Sequence, residues 1–272
     1  ILGAIPILID VEIDKPNINI EKIDQAITQR TRAIIPTQLN GRSVEINKIW
    51  DLAIQNNLIV IEDSAQALFS VYKNKFMGTY SDFGCFSLSV AKLLSTGQGG
   101  FVVTRDKTRY EQLLKIRTHG VSDFTSFVPF STFGFNFRIT DVTASIGIIR
   151  LRHVKEKINK LVQIYNLYES GLRKLKNVSL IPVNLDKKEI PLYIEILVQN
   201  RDKLVNDLAA QNINTRYMYP NLETAPYFVS KGYFPNSKRF ETNGLVLPCG
   251  PDQPKENVIR TIDAIKNFDH VN

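Results

Sequence analysis

The sequence predicts an α/β protein with a mostly parallel sheet flanked by helices, followed by a smaller C-terminal α+β domain. In the first half, short apolar strands alternate with amphipathic helices, which is typical of a parallel sheet covered by helices. From about residue 140 to residue 175 the apolar spacing is helical almost throughout, and a less regular order of strands and helices follows. We therefore predict a large domain over residues 1–150 and a connecting helix with a small domain over residues 151–272.

The individual elements are predicted from apolar spacing and from the turn residues between apolar runs. In the first half, strands are predicted over residues 6–13, 32–36, 58–61, 83–88 and 100–104, and helices over residues 20–27, 46–55 and 106–118. In the second half, strands are predicted over residues 178–183, 190–198 and 244–248, and helices over residues 202–211 and 255–268. The strand over residues 58–61 ends in the acidic pair Glu62-Asp63. Open α/β sheets place ligands beyond the carboxyl ends of their strands, so this pair marks a candidate site.

Composition and charge exclude several classes of protein. The 272 residues are 43% hydrophobic and 22% charged, as in ordinary globular proteins. The formal charge of +7 comes from basic residues scattered among acidic ones, so no nucleic-acid-binding stripe is predicted. No apolar run reaches the roughly 18 residues of a membrane span, and we expect no membrane partner.

The two cysteines indicate the cellular compartment of the protein, and the first residues indicate whether the sequence is a fragment. Cys85 and Cys249 lie far apart, without the spacing of a zinc site or of a disulfide framework, and a reducing cytoplasm is expected. The chain begins with the strand-like run ILGAIPILID, which lacks an initiator methionine and a signal-peptide pattern. We interpret the sequence as a fragment of a longer protein.

One lysine stands out in the segment over residues 61–100, which is rich in glycine and hydroxyl residues. Lys92 has the apolar neighbours Phe86, Leu88, Val90 and Leu93. Their desolvation would lower its pKa from about 10.4 and make the amine a better nucleophile. Taken alone, a solvated surface lysine is the better interpretation, because most basic residues are solvated.

Asp63 changes that balance. A carboxylate at the end of a buried strand needs a partner, and a protonated pyridine nitrogen is one, with a helix cap or a salt bridge as alternatives. Gln66 is placed to donate to a ring oxygen, and the small Ala65 leaves room for a flat ring. Ser87 and Ser89 suit a phosphate dianion, although each is also an ordinary turn residue.

These residues and their spacing resemble the DegT/DnrJ/EryC1/StrS family of sugar aminotransferases, a branch of the fold-type I pyridoxal-phosphate enzymes. Two motifs surround the candidate site and correspond to the family's ED-x-A-Q-A and F-S-x-x-x-x-K: Glu62-Asp63-Ser64-Ala65-Gln66-Ala67 and Phe86-Ser87-Leu88-Ser89-Val90-Ala91-Lys92. Three more follow in the family's order: Gly97-Gln98-Gly99-Gly100, Arg117-Thr118-His119-Gly120 and Gly134-Phe135-Asn136-Phe137-Arg138-Ile139-Thr140-Asp141. The resemblance covers essentially all of the chain.

The resemblance implies a cofactor, roles for site residues and an activity. Lys92 would form the Schiff base with pyridoxal 5'-phosphate, Asp63 would pair with its pyridine nitrogen, and Gln66 would reach its ring oxygen. Ser87 would bind its phosphate. Asn136 would reach the cofactor phosphate of a partner subunit, which implies a homodimer with shared active sites. The implied reaction transfers an amino group, from glutamate, to a keto-sugar nucleotide in polysaccharide or deoxyamino-sugar biosynthesis.

Several positions depart from the family pattern. Gln98 replaces an acid, Met218 replaces the histidine of an H-Y-P segment, and Glu223 stands where a second histidine is common. The family's phosphate-binding loop and ring-stacking aromatic residue are expected before the position of Ile1.

Four alternatives remain open at this point. The chain is a non-catalytic or regulatory remnant of the same fold, or it aminates a cyclitol or a cyclic ketone. Dehydratases of the same family carry histidine at the position of Lys92, so the lysine argues against that activity. A nicotinamide-dependent dehydrogenase is a weaker alternative, since no G-x-G-x-x-G motif follows a strand. The sequence does not identify the sugar, the carbon that is aminated, the stereochemistry or the donor.

Overall fold

A computed structural model describes residues 2–123, 125, 129–228 and 232–271. Ile1 and Asn272, the outer ends of the two predicted domains, lie outside the described residues. The strands are β1 (Ala33–Ile34), β2 (Ile59–Asp63), β3 (Val71–Tyr72), β4 (Lys75–Phe76), β5 (Phe83–Ser87), β6 (Gly100–Val103), β7 (Val178–Leu180), β8 (Ile194–Val198), β9 (Arg216–Tyr217) and β10 (Gly244–Leu247). The α-helices are α1 (Ile23–Ala26), α2 (Ile46–Gln55), α3 (Lys107–Arg117), α4 (Asp141–Arg152), α5 (Val154–Leu172), α6 (Arg201–Ala209), α7 (Pro235–Asn243) and α8 (Lys255–Val271).

The first sheet has the order β1-β2-β5-β6. β1 and β2 are parallel, β2 and β5 are parallel, and β6 joins the edge in the antiparallel direction. This confirms the prediction of a mostly parallel sheet flanked by helices. The pairing of β2 with β5 sets Asp63 directly opposite Cys85, so both strands end at the same edge.

The second sheet is antiparallel, with the order β7-β8-β10-β9. β8 is buried at all five positions because it lies between two strands and under helices. Helix α5 packs against α8, and α6 also packs against α8. These elements form the predicted C-terminal α+β arrangement, and the boundary between residues 150 and 151 stays a prediction.

Apolar spacing explains the two helices that cover the cores. In α2 the buried residues are Ile46, Ile49 and Ala53, which share one face of the helix. The buried residues of α5 repeat at three- and four-residue intervals along one face, namely Leu161, Ile164, Tyr165, Tyr168 and Leu172. Among the described residues, no helix is long and apolar enough to cross a membrane.

Three expectations about secondary structure differ from the observed elements. Residues 6–13 do not form a strand: Val11 makes one isolated bridge to Ile18, and no neighbouring strand pairs with the rest of this described segment. The helical run from residue 140 is divided at His153 into α4 and α5. Helix α7 was not predicted, because it has a single buried residue, Phe240, and no apolar stripe.

A buried ion pair connects the first sheet with the second. Arg42, in the segment between β1 and α2, lies 2.6 Å from the Glu195 carboxylate in β8, and both side chains are at most 2% exposed. The same guanidinium donates to the backbone oxygens of Ile181 and Pro182 at 3.1 and 2.8 Å. All of these groups are desolvated, so removing one partner leaves a buried charge without compensation.

We therefore expect Glu195→Gln to lower the free energy of unfolding by about 3 kcal/mol, which equilibrium denaturant titration will measure. The matched control is Glu156→Gln, which breaks an exposed ion pair with Lys160 within α5 and should change stability little. Equal, small losses for the two variants would contradict the role given to the buried pair.

Candidate active site

Asp63 and Ser87 lie at the carboxyl ends of two neighbouring parallel strands. Asp63 is the last residue of β2 and Ser87 the last of β5. The strand register places Asp63 opposite Cys85, two residues before Ser87. The sheet edge that sequence reasoning selected therefore brings a carboxylate and a hydroxyl group together.

The loop that follows β5 carries Lys92. Its first part is held by backbone hydrogen bonds from Lys92 N–H to Ser89 O at 3.0 Å and from Thr96 N–H to Leu88 O at 2.8 Å. Leu93 anchors the loop: it is 6% exposed and lies in one apolar cluster with Leu161 of α5. Lys92 thus lies between the hydrogen-bonded turn at Ser89 and the buried Leu93.

The setting of Lys92 alters its proton affinity. Burial lowers the pKa of the Lys92 ammonium, the carboxylate of Asp63 opposes that shift, and the positive charge of Arg216 adds to it. The net direction is downward, which increases the share of neutral, nucleophilic amine near neutral pH. Sequence reasoning correctly expected Phe86, Leu88 and Leu93 to be buried.

Val90 was wrongly expected to help desolvate Lys92, since it is 75% exposed. It precedes Ala91, which is also exposed, and both lie on the outer side of the loop. The desolvation comes from the residues that point inward.

Local backbone groups hold Asp63 and Ser87. One carboxylate oxygen of Asp63, Oδ1, accepts from the N–H of Ala65 at 3.1 Å. The hydroxyl of Ser87 accepts from the N–H of Ser89 at 3.3 Å and lies 3.3 Å from the Ser89 hydroxyl. The carboxylate and the hydroxyl pair are thus oriented by their own turns before any ligand binds.

Gln66 is oriented by a residue that sequence reasoning missed. Its Oε1 accepts from the backbone N–H of Asn40 at 3.0 Å, so its Nε2 is the side that faces the site, 3.5 Å from the hydroxyl of Tyr219. Asn40 is fixed in turn, because its side chain accepts from Tyr193 N–H at 2.7 Å and donates to Tyr193 O at 2.9 Å. Asn40 and the following Gly41 both have positive φ, and the Asn-Gly pair was the available sequence signal for this turn.

The two acidic residues at the end of β2 have separate roles because successive side chains in a strand point to opposite faces. Glu62 is fully buried, and its carboxylate accepts from Gln38, Gly78, Tyr80 and twice from Ser81. It therefore organises the turn before β5, whereas Asp63 faces the site.

Asn136 lies apart from this group. Its side chain is exposed, its Oδ1 accepts from Arg138 Nε at 3.1 Å, and its backbone bridges Thr118. Among the described residues, no hydrogen bond joins Asn136 to Lys92 or Asp63.

The departures from the family pattern have clear structural positions. Met218 is 7% exposed and packs in an apolar cluster with Phe240 and Val246, so it belongs to the core. Gln98 is exposed, and its backbone oxygen accepts from the Thr96 hydroxyl at 2.6 Å. Glu223 lies in a short 3-10 helix.

The donor set of the site fits pyridoxal phosphate. Its pyridine nitrogen requires a carboxylate, and its ring oxygen requires an amide donor. Its phosphate requires hydroxyl groups, and its aldehyde requires a neutral amine. Asp63, Gln66, Ser87 with Ser89, and Lys92 supply these four groups around one sheet edge. Gly97 and Gly99 give the adjoining loop two residues with positive φ, a backbone conformation that favours glycine.

Comparison with known proteins agrees with this chemistry. The chain matches the DegT/DnrJ/EryC1/StrS aminotransferase family over residues 1–266. It is 32% identical to GDP-perosamine synthase of Escherichia coli O157:H7, with 98% of this chain and 73% of that protein covered.

Two solved structures share the fold. One is DesV of S. venezuelae in complex with a ketimine intermediate, with a TM-score of 0.89, 28% identity, and 97% of this chain and 72% of that chain covered. The other is a DegT/DnrJ/EryC1/StrS aminotransferase from Brucella abortus, with a TM-score of 0.91, 25% identity, and 98% and 74% of the two chains covered. The chain therefore belongs to the DegT/DnrJ/EryC1/StrS family and is a pyridoxal-phosphate-dependent aminotransferase of fold type I.

Proposed function

We propose that this enzyme transfers an amino group from glutamate to a keto-sugar nucleotide, in the biosynthesis of a polysaccharide or a deoxyamino sugar. The observation that carries the proposal is the arrangement of Asp63 and Ser87 at the ends of two neighbouring parallel strands, followed by the loop of Lys92, whose charge interacts with that of Asp63. The names of the relatives support the substrate class: one is a GDP-perosamine synthase and another a dTDP-3-amino-3,4,6-trideoxy-alpha-D-glucose transaminase.

Each site residue has a proposed role toward the cofactor. Asp63 holds the pyridine nitrogen protonated, Gln66 donates to the ring oxygen, and Ser87 binds the phosphate. Ala65 presents a small side chain against the ring. When it is bound, pyridoxal phosphate supplies an electron sink that stabilises negative charge at the carbon next to the transferred nitrogen.

Lys92 then acts through its Nζ atom. When pyridoxal phosphate is bound, the neutral Nζ of Lys92 would hold it, and Nζ would be free to act as a base once a substrate amine takes its place. The released Nζ removes the proton from the donor α-carbon in the first half-reaction, and it returns a proton to the former carbonyl carbon of the sugar in the second. The lowered pKa of Lys92 keeps Nζ able to accept that proton near neutral pH.

A Lys92→Ala variant should lose the visible absorption band of the bound cofactor and lose turnover by several orders of magnitude. The assay incubates the protein with pyridoxal phosphate, glutamate and a panel of keto-sugar nucleotides, and follows the amino-sugar product by mass spectrometry. Lys157→Ala is the matched control, because that lysine also has a pKa lowered by burial, while its Nζ donates to the backbone oxygen of Lys92.

The same assay separates the alternatives. Turnover of cyclitols or cyclic ketones without turnover of any sugar nucleotide would replace the proposed substrate class. A wild-type protein without a cofactor band and without amine transfer would support a non-catalytic remnant.

We also propose a homodimer with shared active sites, in the cytoplasm. Helix α4 buries no residue, and its apolar side chains Val142 and Ile149 are 72% and 52% exposed. Phe133 and Phe137, which flank Asn136, are 71% and 65% exposed. Exposed apolar side chains of this kind are typical of a subunit interface, and such an interface would bring Asn136 to a neighbouring site. The cytoplasmic location is supported by the absence of a disulfide between Cys85 and Cys249, which are both free.

We expect light scattering to give a dimer for the wild type and a monomer for the double variant Val142→Asp, Ile149→Asp, because two charges would be buried at the interface. Ile54→Asp is the control, since Ile54 is an equally apolar residue, 63% exposed, on α2. A monomeric wild type, or a variant that stays dimeric, would contradict the proposed interface.

A further inference from the structure

A short turn over Leu39–Gly41 lies between the end of β2 and the second sheet. On one side, the N–H of Gln38, just before the turn, donates to the backbone oxygen of Asp63 at 2.9 Å. On the other side, Gly41 has a φ of 73° and lies so close to the backbone oxygen of Ile190 that a Cβ would clash with it. The turn is therefore in contact with the residue that ends β2 and with the segment before β8.

The side chain of Asn40, in the middle of this turn, is fully buried and bonds only to the second sheet and the residue before it. Its amide nitrogen donates to the backbone oxygen of Tyr193 at 2.9 Å and to the carboxylate of Glu195 at 3.0 Å. Its amide oxygen accepts from the N–H of Tyr193 at 2.7 Å. Both hydrogens of the amide nitrogen and its oxygen are thus used, so three hydrogen bonds fix the turn to the second sheet.

The backbone of Asn40 serves the candidate active site. Its N–H donates to Oε1 of the half-buried Gln66 at 3.0 Å. A glutamine amide has an acceptor end and a donor end, so a donor that holds Oε1 also decides where Nε2 points. If this N–H moved away, the Gln66 amide could turn over and present its oxygen to the site, and an oxygen cannot donate to a ring oxygen.

We propose that Asn40 is a positioning residue that couples the second sheet to the ring oxygen of the cofactor. Its side chain follows the second sheet, and its N–H keeps the Gln66 amide in the orientation that donates to that oxygen. The inference rests on the proposed function and adds to it a residue that acts through Gln66. Asn40 has a φ of 53°, a conformation that asparagine adopts more readily than most residues, so one side chain meets both requirements.

The test is a pH titration of the visible absorption band of the cofactor-loaded protein. A donor at the ring oxygen favours its ionised form, so loss of the donor raises the pH midpoint of the band. Asn40→Gly keeps the backbone N–H and tolerates the positive φ, but it removes all three side-chain hydrogen bonds to the second sheet. We expect the midpoint to rise by about half a pH unit or more, which corresponds to one weakened hydrogen bond.

Two controls make the result specific. Asn57→Gly is the same substitution at an exposed residue that also has a φ of 53°, and it should leave the midpoint unchanged. The second control places Asn40→Gly in a Gln66→Ala background, where the midpoint is already raised. Because Asn40 acts through Gln66, it should add no further shift there, whereas an independent structural effect would add to the first.

A wild-type midpoint in Asn40→Gly would overturn the proposal. So would an equal shift with and without Gln66, because the effect would then reach the cofactor by another route. If Asn40→Gly does not fold, Asn40→Asp decides by the same criteria, since aspartate keeps the turn and the acceptor for Tyr193 but loses both donors. A wild type that shows no visible band after loading marks a separate failure, that of the proposed function, and the role of Asn40 falls with it.

Discussion

The parallel pairing of β2 with β5 is the constraint on which the site depends. It sets Asp63 opposite Cys85 and brings the ends of both strands to one edge. Asp63 ends β2, Ser87 ends β5, and the loop that follows β5 carries Lys92. The carboxylate, the hydroxyl groups and the amine therefore come from two strand ends and the loop after the second. A shift of one residue in this pairing would turn Asp63 to the opposite face and separate it from Lys92.

The charged groups beneath the site are costly to bury, and Glu62, Arg42 and Glu195 are each compensated by polar partners. Glu62 receives its hydrogen bonds from the turn before β5, and Arg42 neutralises Glu195 across the two sheets. Asn40 links the Arg42–Glu195 pair to the site, because it donates to Glu195 at 3.0 Å and also fixes the amide of Gln66. The orientation of a proposed cofactor ligand therefore depends on the contact between the two sheets.

Local patterns predicted the elements whose packing is decided locally. Helix α2 has the predicted bounds because its apolar residues recur at the spacing of one helical face. The end of β2 was marked by its acidic pair. Helix α7 was missed because its start is held by Asp10, whose carboxylate accepts from Asn236 and Ser237 some 226 residues away. The segment over residues 6–13 has strand composition, but a strand also requires a partner beside it, which composition does not reveal.

The same distinction applies to the site. Asp63, Ala65, Gln66, Ser87 and Lys92 lie in two short motifs, and the structure brings them to one edge. Arg216, whose charge adds to the lowered pKa of Lys92, and Tyr193 had no signal in the sequence, because β9 and the segment before β8 meet only in the folded chain. Asn136 is in a recognisable motif, yet its proposed partner is another subunit, which the sequence of one chain cannot place.

Selective capture of the cofactor by Lys92 is the most direct measure of the central claim. Brief exposure of the protein to pyridoxal phosphate, reduction with borohydride and peptide mapping would compare Lys92 with Lys157, whose pKa is also lowered by burial. The account predicts that the label lies on Lys92 and declines as the pH falls through its lowered pKa, because the protonated amine is unreactive. Equal labelling of both lysines, or preferred labelling of Lys157, would show that burial alone governs reactivity and would contradict the site described around Asp63.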